Sequence, residues 1–320
     1  MTNPICQALG IRYPILLGGM FQVGTAPLAA AVSEAGGFGI LGAGAWKKDQ
    51  LRAQIDAVRK LTDKPFGVNI VVRSPLSGQQ VEVVIEEKLR GVTTSAGNPN
   101  TYTARLKESG IYVMHVVPTV GFAMTAEKAG VDAVVAEGSE SGGFTSLEEI
   151  STFVLVPQVV DAVRVPVLAA GGIGDGRGFA AALALGAVAV QVGTVFLATE
   201  EAEASRAYKQ ALLLARDTDT RLVRSSGAGQ RRIRDELLQR VAESLDSEAD
   251  WKGLEADGEE SADWEEHLKM KKVPKVMAAG QVAGMVKEIV PVKTLIDGMV
   301  QGAQKIFGPD NDRFELTAMN

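Results

Sequence analysis

The stretch VPVLAAGGIGDGRGFAAALALGAVAVQVGT, residues 165–194, opens on an apolar run that stops at Gly171-Gly172. More glycines follow at Gly174, Gly176 and Gly178, then a segment of helical period through Phe179, Ala182 and Leu183. A β-branched run over 188–192 ends at Gly193-Thr194. This spacing predicts two parallel strands, each ending in a glycine turn. Without a Cβ the backbone can approach a ligand closely, and N–H groups at a turn or helix start point at an anion. The loops after strands seven and eight of an α/β barrel are the usual phosphate seat. Two glycine-capped turns with no ligand would leave the same pattern.

Six apolar runs precede this stretch. They cover 13–17 (YPILL, ending at Gly18-Gly19-Met20), 38–41, 66–72 (FGVNIVV), 92–95, 111–117 and 133–136. Helical patterns separate them at 26–34, 46–61, 81–89, 101–109 and 121–129, with a further helix inside 147–163. The joints EAGGF (34–38), KAGVD (128–132) and ALGAV (184–188) echo one another. Each is a helix end, a glycine suited to a left-handed cap, then a strand start. Eight such units in roughly 200 residues predict a (β/α)8 TIM barrel of the α/β class. A doubly wound open sheet usually has fewer strands and one dominant glycine fingerprint near its start, and neither is seen.

After Leu197 the composition shifts. Residues 204–216 and 231–245 (RRIRDELLQRVAESL) read as helices, and 246–275 are polar and acidic with Trp251 and Trp264 as anchors. Apolar helical patterns return at 276–290 and 292–306. The expected organisation is a barrel over 1–216, a small helical lid over 217–275, and helices over 276–320 that pack back on the barrel. Whether that lid excludes water, hangs as a solvated appendage or serves as an oligomer contact stays open at this point, and a homodimer is carried as an expectation.

A chain of 320 residues that is 46% hydrophobic can bury a large core. Its net charge of −6 comes without a basic stripe, which argues against nucleic acid or an anionic membrane surface as a partner. Cys6 is the one cysteine, so no intramolecular disulfide forms, and its position outside any glycine turn argues against a nucleophile. The first residues lack a basic region followed by an apolar one, and Asp175 and Arg177 interrupt the longest apolar stretch. The expectation is a cytoplasmic protein with no membrane contact.

Barrel chemistry sits at the C-terminal ends of strands. Read in order, those ends offer Gly18-Gly19-Met20, Gly42, Asn69, Thr94-Ser95, Val117, Glu137, Gly171-Gly172 and Gly193-Thr194. They contain no metal-ligand cluster, no Ser-His-Asp order and no lysine placed for a Schiff base. Glycine, amide and hydroxyl dominate, which suits a large, planar, phosphorylated ligand that brings its own chemistry. Asn69 interrupts an apolar strand and offers both a donor and an acceptor to a heterocycle edge. Glu137 could orient a loop, pair with Arg177, or accept from a ribityl hydroxyl. His115 lies within strand five and reads as a core histidine before it reads as an acid, and His267 as a surface residue.

The segments YPILLGGM (13–20), AAAVSEAGGFGILG (29–42), LTDKPFGVNI (61–70), VTTSAGNP (92–99), DAVVAEGSESGG (132–143), PVLAAGGIGDGRG (166–178), AVQVGTVFL (189–197) and MAAGQVAGMV (277–286) occur in this order. Together they resemble the FMN-dependent TIM-barrel family of nitronate monooxygenases (2-nitropropane dioxygenases) and enoyl-acyl-carrier-protein reductases II. VTTSAGNP and GSESGG are closer to the reductase branch. The resemblance implies FMN across the barrel mouth, its phosphate on Gly171-Gly172 and Gly193-Thr194. It implies the isoalloxazine ring near Gly18-Gly19-Met20 and Asn69, with Glu137 and Gly142-Gly143 also on the cofactor and Gly280-Gln281 closing over it. NADH or NADPH is the implied electron donor and an enoyl thioester the leading substrate. Nitronate oxidation with O2 stands second, and a quinone-type reductase or an inert flavin binder follow. One departure is sharp: where the family usually carries an active-site histidine after the Gly-Gly of strand six, this chain has Phe144. Phenylalanine transfers no proton, so deprotonation of a neutral nitroalkane is expected to be poor and the catalytic residue is left unassigned, with His115 a weak candidate.

Overall fold

The computed structural model describes residues 3–225, 228–244 and 277–308. Eight strands run parallel: β1 (Ile15–Leu17), β2 (Gly39–Gly42), β3 (Phe66–Val71), β4 (Gly91–Ser95), β5 (Tyr112–Val117), β6 (Ala133–Glu137), β8 (Val167–Ala170) and β9 (Ala189–Val192), while β7 (Gly143–Thr145) lies outside this sheet. Their order is β1-β9-β8-β6-β5-β4-β3-β2, and a bridge between Leu16 and Phe38 brings the two ends together. There the Leu17 N–H donates to the Phe38 carbonyl at 3.0 Å and the Phe38 N–H to that of Ile15 at 2.9 Å. The ring is therefore the expected (β/α)8 barrel. Strands such as β1, β2 and β8 are buried along their whole length, as parallel strands covered on both faces must be.

Helices α2 (Ala26–Glu34), α3 (Lys48–Leu61), α4 (Ser77–Glu86), α5 (Thr103–Glu108), α6 (Val120–Lys128), α7 (Thr152–Ala162) and α8 (Gly176–Ala184) form the outer layer. The short α1 (Pro4–Leu9) ahead of β1 covers the barrel's N-terminal end. Asn3 Nδ2 donates to the Val188 carbonyl just before β9, and Arg90 Nε, just before β4, donates to the Ala8 carbonyl. Cys6 sits in this plug; burial pushes its thiol up to about 12, so it stays protonated and packs as a core residue. With the bottom closed, the C-terminal ends of the strands are the open end.

Beyond the barrel, α9 (Arg206–Leu214) leads into a β-hairpin of β10 (Thr220–Ser225) and β11 (Ala228–Ile233), followed by α10 (Asp235–Ser244). β11 also pairs antiparallel with β7, setting Gln230 opposite Phe144 and Arg231 opposite Gly143. This corrects the expectation of a purely helical segment after 217. RRIR begins as a strand, and the helix expected from residue 231 starts only at Asp235. The rest of the expected lid, including Trp251, Trp264 and His267, lies outside the described residues. The helix expected over 276–290 is instead a loop holding one short 3-10 turn, Gln281–Met285. α11 (Val292–Phe307) does pack back on the barrel, against α8. A Cβ on Gly176 would stand 2.6 Å from Gly302 Cα, so the two helices cross backbone to backbone. No helix among the described residues is long and apolar enough to cross a membrane.

Candidate functional site

The strand ends open into a cavity of ≈ 1170 Å³. Gly18, Gly19, Met20, Asn69, Glu137, Gly142, Gly143, Gly171, Gly172, Gly193, Thr194 and Gly280 all line it, although they come from six separate stretches of chain. Gln281 does not. Its side chain is exposed and its N–H donates to the Glu140 carbonyl at 2.9 Å, so it fastens the loop rather than facing the cavity.

Glycine is demanded at two of these places by close approach. A Cβ on Gly19 would meet Asn69 Cβ at 2.4 Å, so the β1 turn lies flat against the Asn69 side chain. One on Gly142 would meet the Ala279 and Gly280 backbone at 2.6 Å, because the segment leading to the 3-10 turn crosses directly over it. Gly171 and Gly172 require glycine for another reason, since both are left-handed with φ of +90° and +70°.

The two helix starts near the glycine turns after β6 and β8 are already capped. Asp175 accepts from the Arg177 and Gly178 N–H groups at the start of α8 and also binds the exposed Arg177 guanidinium. Glu140 accepts from the Thr152 N–H and hydroxyl at the start of α7. A phosphate here would rest on turn backbone and not on a free helix terminus, and Arg177 is not a partner of Glu137. Thr194 opens a short 3-10 turn (Thr194–Ala198) that has no side-chain cap. Its hydroxyl accepts from the Gly280 N–H at 2.9 Å, which leaves its own hydrogen to donate.

Polar groups elsewhere on the wall are either fixed or waiting. Asn69 Oδ1 accepts from the Thr93 hydroxyl at 3.0 Å, which sets the orientation of the amide. Gln191 Oε1 is buried, lines the cavity and forms no hydrogen bond within the described residues, while the Ser141 hydroxyl lies beside the Glu137 carboxyl. An unpaired buried oxygen is costly unless a ligand or water satisfies it. Burial pushes the Glu137 carboxyl up to about 7, while the neighbouring Ser141 hydroxyl holds it lower than burial alone would. His115 is 1% exposed, its Nδ1 lies 2.7 Å from the Thr94 hydroxyl, and burial lowers its pKa to about 4. It is neutral at physiological pH and already tied to its neighbours. Glycine turns on one side, a fixed amide on the other and an unpaired acceptor between them fit the flavin nucleotide that the sequence resemblance implies.

Comparison with known proteins agrees with this geometry. The model of the nitronate monooxygenase family matches residues 3–80 and 74–302. The chain belongs to that family. It is similar to a Mycobacterium tuberculosis protein named (3aS,4S,5R,7aS)-5-hydroxy-7a-methyl-1-oxo-octahydro-1H-indene-4-carboxyl-CoA dehydrogenase, 34% identical and covering 95% of this chain and 96% of that one. A probable nitronate monooxygenase of Staphylococcus aureus is 35% identical, over 75% of this chain and 81% of the relative. Among solved structures, FabK from Thermotoga maritima superposes with a TM-score of 0.81 at 41% identity, over 97% of this chain and 98% of that one. The chain is thus an oxidoreductase of the nitronate monooxygenase family, whose members are flavin-dependent.

Within that family frame, Phe144 sits on β7 at the cavity mouth, 37% exposed and paired through its backbone with β11. Sequence reasoning missed Gln191, Ser141 and Arg73 as wall residues. Gln191 could have been found as the one polar residue inside the run AVQV; nothing in the local pattern marks the other two.

Proposed function

We propose that the protein is an FMN-dependent oxidoreductase that reduces the carbon–carbon double bond of an enoyl thioester with NADH or NADPH. The observation that carries this reading is the lack of a free base, among the described residues, on the wall where the flavin ring would lie. That wall consists of Gly18-Gly19-Met20 from β1, Asn69 from β3, Ser95–Gly97 from β4 and His115 from β5. Its single imidazole is neutral, buried and hydrogen-bonded to Thr94. Glu137 stands on the opposite side, in register with Ala170 beside the phosphate turns. A reaction that begins by abstracting a carbon-bound proton has no partner here, whereas hydride delivery to an already activated double bond needs none.

Gly171, Gly172, Gly193 and Thr194 would hold the phosphate, and Glu137, Ser141 and Gln191 the ribityl chain. Asn69, fixed by Thr93, would meet the ring edge. Bound FMN supplies hydride transfer, and the protein supplies its position and a sheltered mouth. Two relatives that span nearly the whole chain support a thioester substrate: the mycobacterial carboxyl-CoA dehydrogenase, and FabK, an enoyl-acyl-carrier-protein reductase II.

Oxidation of a nitronate that arrives as the anion is the second reading, supported by the family model and the staphylococcal relatives. Anaerobic mixing of the FMN-loaded protein with NADH and then NADPH separates the two. Rapid bleaching, reversed by an enoyl-CoA, is the expected result. No bleaching, with oxygen uptake on adding ethyl nitronate, would replace the first reading by the second.

A further inference from the structure

Among the described residues that line the cavity there are four carboxylates, Glu137, Glu140, Glu148 and Glu203, but a single lysine or arginine, Arg73. Its side chain is exposed at the rim and takes part in no ion pair among the described residues, on a surface where Lys48, Arg52, Arg59, Lys107, Arg221 and Arg240 all do. Its backbone, by contrast, is held firmly. The Arg73 N–H donates to the Ala96 carbonyl at 3.2 Å, and a Cβ on Gly97 would stand 2.5 Å from Val72 Cβ. The β3 and β4 loops are thus pressed together beneath the guanidinium.

Arg73 also lies far from the glycine turns. In the ring order, β3 stands four places from β8 and β4 four places from β9. A ligand phosphate seated on the turns after β8 and β9 therefore leaves Arg73 on the far rim. Between them runs a floor that passes Asn69 and reaches the apolar side chains of Val71, Val116, Pro118 and Phe122. An arginine whose backbone is held and whose side chain has no ion-pair partner among the described residues, beside an apolar lining and opposite a first anion seat, is built to take a second anion. The guanidinium fork matches a phosphoryl group in bidentate fashion.

We propose that Arg73 anchors a phosphoryl group of a phosphate-bearing co-substrate, at the rim opposite the cofactor's own phosphate. The inference rests on the thioester-reductase reading, since both co-substrates of that reaction carry phosphates: the CoA or phosphopantetheine arm of the thioester, and the dinucleotide of the donor. The carboxylates along the rest of the cavity leave this rim as the place where such a group is not repelled.

The test is direct binding to the FMN-loaded protein, which needs no turnover. Coenzyme A and NAD⁺ are titrated separately into the parent, Arg73→Ala and Arg73→Lys proteins at 50 and 300 mM salt, with circular dichroism and flavin content confirming an intact barrel. Arg73→Ala is expected to weaken one of the two ligands at least tenfold at low salt. Arg73→Lys should fall in between, and the salt dependence of that ligand should flatten in Arg73→Ala. Loss of coenzyme A binding assigns the arm of the thioester, and loss of NAD⁺ binding assigns the donor. Dissociation constants within twofold of the parent for both ligands would overturn the proposal. That failure is distinct from failure of the reductase reading, which shows itself as flavin that NADH and NADPH do not bleach.

Discussion

Phe144 is the residue on which the choice of chemistry turns. It follows the Gly142-Gly143 pair and lines the cavity, but an aromatic hydrocarbon ring offers neither lone pair nor acidic hydrogen. Phe144→His places an imidazole at the same spot on β7. The expected outcome is oxygen consumption with neutral nitroethane at least tenfold above the parent, with an inflection between pH 6 and 7, where histidine ordinarily titrates. Unchanged rates would mean that the base position of this family lies elsewhere in this chain. Glu137 gives a second prediction at the same scale. Its carboxyl titrates near 7 in the folded protein, above the ordinary carboxylate value near 4.5. Below that value both states bind the proton and burial costs nothing. As pH rises from 4.5 to 7 the unfolded chain gives up its proton first, so the stability that Glu137 contributes is lost through that window and stays lost above it. Glu137→Gln should therefore gain stability relative to the parent across this range and hold a constant advantage above it, a few kcal/mol at most, as read by thermal unfolding at pH 4, 6 and 8. An advantage that shrinks as pH rises would show the carboxyl to be ionised in the fold.

At the scale of elements, α8 and α11 meet at Gly176 and Gly302, where neither helix can carry a side chain without moving the other. A Cβ at Gly176 also comes within 2.7 Å of the Met299 carbonyl. Gly176→Ala is thus expected to cost about 1–3 kcal/mol in urea unfolding, the usual range for overpacking. It should also loosen FMN, because α8 begins just after the Gly171-Gly172 turn. A variant as stable as the parent would mean that the contact is soft. The same kind of backbone contact explains what the sequence leaves unread. The barrel strands are legible because each is a short apolar run closed by glycine, and a parallel ring imposes that pattern eight times over. The segment 277–286, MAAGQVAGMV, is just as apolar, yet it does not coil into one helix. Gly280 is pressed to 2.6 Å of the Glu140 carbonyl and Gly284 to 2.8 Å of the Arg216 backbone, counting from the Cβ each lacks. Those contacts are made by residues some seventy to a hundred and forty positions away, so no local window contains them. RRIR in β11 is unreadable for a similar reason. Arg231 is 7% exposed because its Nε donates to the Ser139 carbonyl at 2.7 Å, a partner from the β6–β7 loop. Without that partner an arginine-rich stretch ahead of DELLQRV reads as the first turn of the helix. The site divides along the same line: the glycine turns, Asn69 and Gln191, each polar residue breaking an apolar strand, are marked locally, whereas Ser141 and Arg73 become wall residues only once the ring closes.

Taken as a whole, the molecule spends a good part of its stability on an open end. The core of the barrel is continuous from the α1 plug to the strand ends, but above it stand the Gln191 amide oxygen, which has no donor among the described residues, a carboxyl held near neutrality and turn N–H groups in left-handed glycines. Each is a cost to the empty fold that a bound flavin nucleotide would offset, which ties cofactor affinity to folding stability. Ligand that binds only the folded state adds RT ln(1 + [L]/Kd), about 2.7 kcal/mol at a hundredfold excess over Kd. Stripping FMN should therefore lower Tm, and titrating FMN back should raise the unfolding free energy linearly with the logarithm of free FMN. A variant with Gly172→Ala, which strains a left-handed turn at φ +70°, should need a higher FMN concentration to reach the same stability. The measurement is chemical unfolding at a series of fixed FMN concentrations, with riboflavin as the comparison. Riboflavin carries the ring and ribityl chain but no phosphate, so the difference between the two ligands isolates the glycine turns. Equal stabilisation by FMN and riboflavin would mean that the turns after β8 and β9 do not seat a phosphate. No stabilisation by either would mean that the cavity is built for another ligand.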